Sequence, residues 1–284
     1  MESIHQAETK SSRRSWVLVS GATGGLGKAF AVECASRGWA VYLTDLRQDL
    51  LDTLAGGLRR TYGVPVETTV CDLTDISSRQ ALFERFEREG QRFWALINVA
   101  GIDFEGPFYE QSRAQIRTII RLNVEGTLEM THALLARRDP LVPFRIINVA
   151  SLAAFYPMPV KATYAASKRF LLDFSLALRS EVKELGATVT ALCPAGLATN
   201  PDMIRAIHAQ GVLGQLTTQD IGAVASETLD AALKGRAVVI PGWINRAIQF
   251  AGSLLPTMWV VSLVGSRWKT AQQKRARQAE IAAG

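Results

Sequence analysis

Cysteine is scarce in this chain. Only Cys34, Cys71 and Cys193 occur in 284 residues, far apart and odd in number. That count rules out a disulfide framework, and no Cys-x-x-Cys or cysteine–histidine spacing suits a metal, so no metal site is expected. Each cysteine is flanked by apolar residues and reads as a small buried thiol, which fits a reducing cytoplasm. Histidine is equally sparse. His5 falls in the N-terminal tail, and His132 and His208 fall on segments of helical pattern. No Gly-x-Ser-x-Gly occurs either, so the hydrolase arrangements built on such an elbow are excluded. Met1 to Arg14 is polar with no apolar stretch, and no secretory leader is expected. Positive charge is thin over most of the chain. The net charge is +6, yet the last 18 residues hold Arg267, Lys269, Lys274, Arg275 and Arg277 against Glu280 alone. The remainder is close to neutral, which argues against a nucleic-acid groove spread over the fold. No Pro/Gly-rich linker or internal repeat divides the chain, so one domain is expected.

Apolar residues make up 48% and charged residues 20% of the sequence, enough for a large core. Short apolar runs at 16–20, 41–44, 64–70, 94–99, 144–150, 188–193 and 237–240 read as strands. Amphipathic segments at 25–37, 47–61, 75–88, 111–138, 161–185 and 219–234 read as helices, the long 111–138 stretch as two helices joined near Asn123. Buried strands alternating with helices predict an α/β fold. Right-handed crossovers make it a doubly wound parallel sheet of about seven strands, with helices on both faces. The expected division is a tail at 1–14, the sheet domain at 15–242 and an apolar, then basic, helical extension at 243–284. Three readings of 243–268 stay open: a helix pair packed on the body or a partner subunit, a surface-lying membrane anchor, or a span. Arg246, Gln249 and the mid-segment Pro256 weaken the last.

Two constellations carry chemistry. Gly21-Ala-Thr-Gly-Gly25-Leu-Gly27 follows the first strand and opens a helix. Glycines there permit an unusual turn and let the backbone approach a pyrophosphate, which the helix N-terminus then receives. Asp45, closing the second strand, is placed to accept hydrogen bonds from adenosine ribose hydroxyls. Its charge repels a 2′-phosphate, so NAD is expected over NADP. Arg47 would bind that phosphate if it turned inward; a solvated first-turn position is the plainer reading. The second constellation is Tyr164-Ala-Ala-Ser-Lys168. Residues four apart share a helix face, so the lysine is expected to draw the tyrosine pKa down and let it act as acid and base. Ser151, just after the fifth strand, could hydrogen-bond a substrate oxygen, and the side chain of Asn123 could support Lys168.

Taken in order, these motifs resemble the short-chain dehydrogenases/reductases in their compact single-domain, Rossmann-type form, over about residues 15–242. Gly21, Gly25 and Gly27 fit the family's glycine loop, with Ser20 in place of its threonine. Asp72 fits the residue that binds adenine. Asn98-Val-Ala-Gly101 fits the NNAG motif, with Val99 replacing an asparagine. Pro194-Ala-Gly-Leu-Ala-Thr199 fits the segment beside the nicotinamide, with Ala195 where glycine is usual. The resemblance implies an NAD(P)-dependent oxidoreductase interconverting an alcohol and a carbonyl. Asn123, Ser151, Tyr164 and Lys168 would be the catalytic positions. Thr23, Gly24, Leu26, Leu73, Asn98, Ala100, Gly101, Pro194, Gly196, Leu197 and Thr199 would join the residues above around the cofactor. It also implies a homodimer or homotetramer built on the long helices at 111–138 and 161–185.

A non-catalytic nucleotide-sensing protein on the same fold is the alternative, and the complete Tyr/Lys pair speaks against it. The segments expected to line a substrate pocket, 102–109, 152–163 and 202–216, are rich in Phe, Tyr, Met, Ile, Val and Leu. Asp103, Glu105, Lys161, Asp202, Arg205 and His208 are the titratable groups there. A lipophilic small-molecule substrate follows. Nucleic acid is not expected as a partner, whereas a membrane surface is, should 243–268 lie on lipid; the location expected is then cytoplasmic and peripheral to a membrane.

Overall fold

The computed structural model describes residues 14–197 and 218–266. Thr199 and the expected pocket segment at 202–216 lie outside the described residues, as do both chain ends. Seven strands form one parallel sheet in the order β3-β2-β1-β4-β5-β6-β7. They are β1 (Ser15–Ser20), β2 (Val41–Asp45), β3 (Val66–Val70), β4 (Arg92–Asn98), β5 (Phe144–Val149), β6 (Ala187–Leu192) and β7 (Val238–Val239). The apolar runs read from the sequence become these strands, with ends moved by a residue or two. Both faces are covered. Helices α1 (Gly25–Ser36), α2 (Gln48–Tyr62) and α7 (Ile221–Leu233) bury Phe30, Leu51, Leu58 and Leu229 against one face. On the other face, α3 (Ile76–Arg88), α5 (Thr127–Ala136) and the end of α6 (Ala162–Glu181) close over Leu82, Phe86, Met130, Leu134 and Val182. Edge-on packing of Tyr42 against Trp16, Phe86 and Phe93 fills that second layer, with ring centroids 5.1–6.2 Å from the tyrosine.

The strand order reverses between β1 and β4, and a crevice opens there beyond the strand C-termini. The expected break near Asn123 is absent. Helix α4 (Arg113–Ile119) runs into a π-helical segment, Ile120–Gly126, and on into α5 without a turn. The extra residue per turn changes the face on which Asn123 sits while keeping the backbone helical, as π-segments at functional sites do.

At the C-terminus, α8 (Trp243–Ser253) and a second helix at 257–266, divided at Pro256, fold back on the body. The Tyr156 hydroxyl binds the carbonyls of Ile248 and Gln249 at 3.2 and 2.7 Å. A Cβ at Gly252 would fall 2.3 Å from that hydroxyl oxygen, so only glycine lets the helix come so near. Of the three readings of this segment, packing on the body describes its inner face.

Candidate active site

The loop after β1 makes its turn at Gly21, which has φ +63°. A Cβ there would meet the Ala100 backbone at 2.8 Å, so glycine lets the β1 and β4 loops touch. Ser20 fixes the same contact, its hydroxyl accepting from the amides of Val99 and Ala100. Helix α1 then starts after Gly24, an N-cap residue that offers no side-chain cap. The first N–H groups of α1 are left pointing into the crevice with the positive end of the helix dipole behind them. A bare, uncapped helix start walled by glycines fits a dinucleotide pyrophosphate.

Gly27 closes the cradle, since a Cβ there would stand 2.0 Å from the Gly21 carbonyl oxygen. Gly27→Ala must push the loop away from the helix. We expect a stability loss of roughly 1–3 kcal/mol and NADH affinity lowered at least about tenfold. Gly57→Ala, whose added carbon meets nothing, is the control. Fluorescence titration of both variants checks this, and unaltered affinity in Gly27→Ala counts against the cradle.

Asp45 sits at the tip of β2, its carboxylate accepting from the amides of Thr23 and Leu46 at 2.8 and 2.7 Å. The carboxylate is thereby fixed against the glycine loop at the end of β2. Arg47 does not turn inward. It is exposed and paired with Asp49 at 2.6 Å, the solvated arrangement. Asp72 accepts from the Thr74 amide and hydroxyl, which fixes the loop after β3. The next carbonyl, Leu73, accepts from the fully buried Arg79, whose guanidinium also grips Glu125 and Glu129. Arg79 therefore ties the adenine-side loop to the helix that carries Asn123. Sequence reasoning missed it, because a mid-helix arginine ordinarily reads as a solvated charge.

The side chain of Asn98 is buried inside the sheet, its amide donating to Thr131 at 3.1 Å and Asn148 at 2.9 Å, and Asn148 in turn donates to Ser175. It fastens β4 to β5, which leaves its backbone, at the C-terminal end of β4, as the part available to the crevice. Leu26 and Leu197 also point into the core beside α1 and α7, so only their backbone faces the loops. Pro194 is buried, its carbonyl accepting from the Leu152 amide, and Gly196 is half-buried next to it.

The catalytic positions converge at the ends of β4 and β5. Asn123 is buried and binds both backbone groups of Ile102, accepting from its N–H at 2.8 Å and donating to its C=O at 3.0 Å. Its amide also donates to Ser167, a partner that the sequence reading did not name. Lys168 is 4% exposed and donates to the Val149 carbonyl at 2.7 Å. A Cβ at Gly101 would lie 3.2 Å from both the Asn123 Oδ1 and the Lys168 Nζ. Gly101 thus acts through the room it leaves. Ser151 lies close enough to Tyr164 to lower its phenol pKa, and Lys168 Nζ stands 5.8 Å from the centre of its ring. Lys161 stands 5.7 Å from the same ring. It is paired with Asp103 and, at 3.5 Å, with Glu105.

The electrostatics correct one expectation. Burial pushes Tyr164 up to about 12; the Ser151 hydroxyl pulls it down and the Asp103 charge pushes it further up. Among the protein's own groups, desolvation outweighs Lys168. Burial also depresses Lys168 to about 8, against smaller upward pulls from Cys193 and Asp103. The Cys193 thiol is raised to about 12, chiefly by burial, and stays neutral. Cys34 and Cys71 are buried and raised as well, so the three thiols are inert core groups as expected. At neutral pH the site therefore presents a protonated phenol next to a cation, which is the state that donates a proton to a carbonyl oxygen.

A family model described as "short chain dehydrogenase" matches residues 15–209. The very-long-chain 3-oxoacyl-CoA reductase of Anas platyrhynchos is 30% identical over 93% of this chain and 82% of its own length. Sulfoacetaldehyde reductase 2 of Chromohalobacter salexigens is 32% identical over 66% of this chain and 75% of its own length. Among solved structures, a short-chain dehydrogenase from Sphingobium yanoikuyae in complex with NADPH superposes with a TM-score of 0.71. It is 29% identical and covers 84% of this chain and 93% of that one.

Proposed function

Since the chain belongs to the short-chain dehydrogenase family and is an NAD(P)-dependent oxidoreductase, we propose that it reduces a lipophilic ketone to the alcohol with Tyr164 as proton donor. The observation that carries this is the meeting of Tyr164, Ser151, Lys168 and Asn123 beside the glycine cradle. When bound, the nicotinamide cofactor supplies or accepts the hydride. The chain's own groups do the rest. Ser151 holds the substrate oxygen against Tyr164, whose phenol protonates it as negative charge develops there. Lys168 offsets the charge left on the phenolate, and Asn123 holds the Ile102 backbone and the floor of the site. In the reverse direction a phenol near 12 is a weak base, and the charge of an oxidised nicotinamide is needed to bring it within reach.

Several features support a lipophilic substrate. The segment between Ser151 and Tyr164 carries Phe155, Tyr156 and Pro157, which with Leu255 and Val260, and with the polar Arg169, Gln249, Ser253 and Thr257, line a neighbouring cleft of about 220 Å³; Ser151, Tyr164 and Lys168 are not among its lining residues. The Anas relative is named for a very long acyl chain. The Chromohalobacter relative is named for a small sulfonated aldehyde, so family membership alone does not choose the substrate, and the apolar residues of 102–109 and 152–163 carry the argument. For the cofactor we favour NAD. Asp45 is fixed against the glycine loop at the end of β2, and Arg47 is turned out to Asp49. For assembly, Ile120, Phe170 and Leu176 are exposed on the long helices, as a subunit interface there would require.

Titration with NADH and NADPH, followed by nicotinamide fluorescence, tests the cofactor choice. NADH is expected to bind at least about tenfold tighter, and Asp45→Ser to erase the difference. The reverse preference in the unaltered protein would make Arg47 the phosphate ligand and overturn the choice of NAD while leaving the reaction in place. A screen of long-chain ketones against short sugars tests the substrate; turnover confined to sugars would sink the lipophilic reading.

A further inference from the structure

We propose that the outer face of the C-terminal helix pair docks on an anionic lipid surface. The two faces of this pair are unlike. The inner one is fixed to the body through Tyr156, through the close approach of Gly265 to Pro159, and through buried Val260. The outer one leaves Trp243, Phe250, Leu254, Met258, Trp259 and Leu263 between 58% and 75% exposed. Trp243, Phe250 and Leu254, spaced seven and four apart, share one stripe of α8, and Trp259 and Leu263 share one on the following helix. Single exposed apolar residues are ordinary; six at helical spacing on one supersecondary unit call for a partner.

The chemistry of the stretch selects lipid. Tryptophan is suited to the boundary between headgroups and acyl chains. Among the described residues no helix is long and apolar enough to cross a membrane, so the pair would lie in the interface plane. Immediately beyond it the sequence continues through Arg267, Lys269, Lys274, Arg275 and Arg277 against Glu280, a net charge of +4. Basic residues flanking an apolar helical face are the combination that anionic headgroups attract.

Docking also has a consequence for turnover, which rests on the reductase reading while the docking itself does not. Gln249, Gly252, Leu255 and Val260 of the same helix pair form one wall of the 220 Å³ cleft whose other wall is Phe155-Tyr156-Pro157. Lipid contact on the outer face sets this cleft at the membrane surface; the catalytic groups do not line it, so the link to turnover is through the Phe155–Pro157 segment that joins the cleft to Ser151 and Tyr164 in sequence.

The test is sedimentation of the full-length protein with phosphatidylcholine vesicles with and without phosphatidylglycerol. Binding is expected to the mixed vesicles and to weaken with salt. The pair Trp243→Ser and Trp259→Ser should lower it at least about tenfold, with NADH affinity and reduction of a water-miscible ketone retained. Changing the five tail cations to Gln, which leaves the apolar face intact, should remove about a hundredfold of the affinity for anionic vesicles. No sedimentation of the unaltered protein, or binding indifferent to both sets of changes, overturns the proposal. So does a dimer that the tryptophan substitutions split while vesicles bind nothing, since the face would then belong to a second copy. Because vesicle binding needs no turnover, its failure is separable from a failure of the reductase reading.

Discussion

Tyr164→Phe is expected to lower kcat for carbonyl reduction by about a thousandfold, within the range that general acid catalysis supplies, while NADH binding changes by less than about threefold. The substitution removes one oxygen. The ring stays in place beside Lys168 and Lys161, at 5.8 and 5.7 Å from its centre, so the packing around it is kept. What disappears is the phenolic proton beside Ser151. Two other groups nearby carry protons. Lys168, at about 8, has a proton to give, but that ammonium is turned to the Val149 carbonyl. Lys161 is held by Asp103 and Glu105. If either lysine were the true donor, Tyr164→Phe would retain activity within about tenfold. Single-turnover reduction with pre-bound cofactor separates the outcomes, because it reads the chemical step apart from binding. A large loss there with intact NADH titration is the expected pair of results. Loss of both together would mean that the phenol shapes the dinucleotide site.

Much of this site is legible in the residues alone, for identifiable reasons. Seven apolar runs of strand length alternate with helices, and chirality leaves few ways to wind them. The spacing of Tyr164 and Lys168 survives because a helix fixes which neighbours share a face. What stays hidden depends on contacts distant in sequence. The π-segment at Ile120–Gly126 has no hydrophobic period of its own, so a helical stretch containing an asparagine reads as a joint. Asn98 ends β4 and opens a motif read as cofactor-binding, yet its side chain bonds inside the sheet to Asn148, a residue fifty positions on. Arg79 reads as surface until Glu125, Glu129 and the Leu73 carbonyl are seen around it. The direction of the Tyr164 shift is hidden in the same way, since desolvation is a property of the closed cleft and not of the Tyr-x-x-x-Lys spacing.

That cleft makes Lys168→Met the second decisive substitution, because its effects on activity and stability should have opposite signs. Desolvation holds the Lys168 ammonium down from 10.5 to about 8, a shift corresponding to about 3 kcal/mol by which burial disfavours the charged form. In the unfolded chain the group keeps its proton until the ordinary lysine range. Between about pH 8 and 10.5 the unfolded state therefore binds more protons, and this group's contribution to stability rises with pH. A fall in activity above about 8 is then loss of the Lys168 charge and not unfolding driven by it. For the unaltered enzyme, kcat/KM for reduction should be level through neutrality and decline above pH about 8, with no inflection from Tyr164, whose proton is held to about 12. Methionine fills similar volume without a charge. It leaves the Val149 carbonyl short of a donor, at a cost of about 1–3 kcal/mol, and removes a desolvation penalty of similar size. Stability should therefore be unchanged or raised by up to about 2 kcal/mol. Activity should drop about a hundredfold or more, since the cation that offsets phenolate charge is gone, and the inflection near 8 should vanish with it. A variant that loses activity because its melting temperature collapses would show Lys168 to be a structural group. An active variant that keeps the inflection would place the titrating cation elsewhere, with Lys161, also beside that ring, the next residue to change.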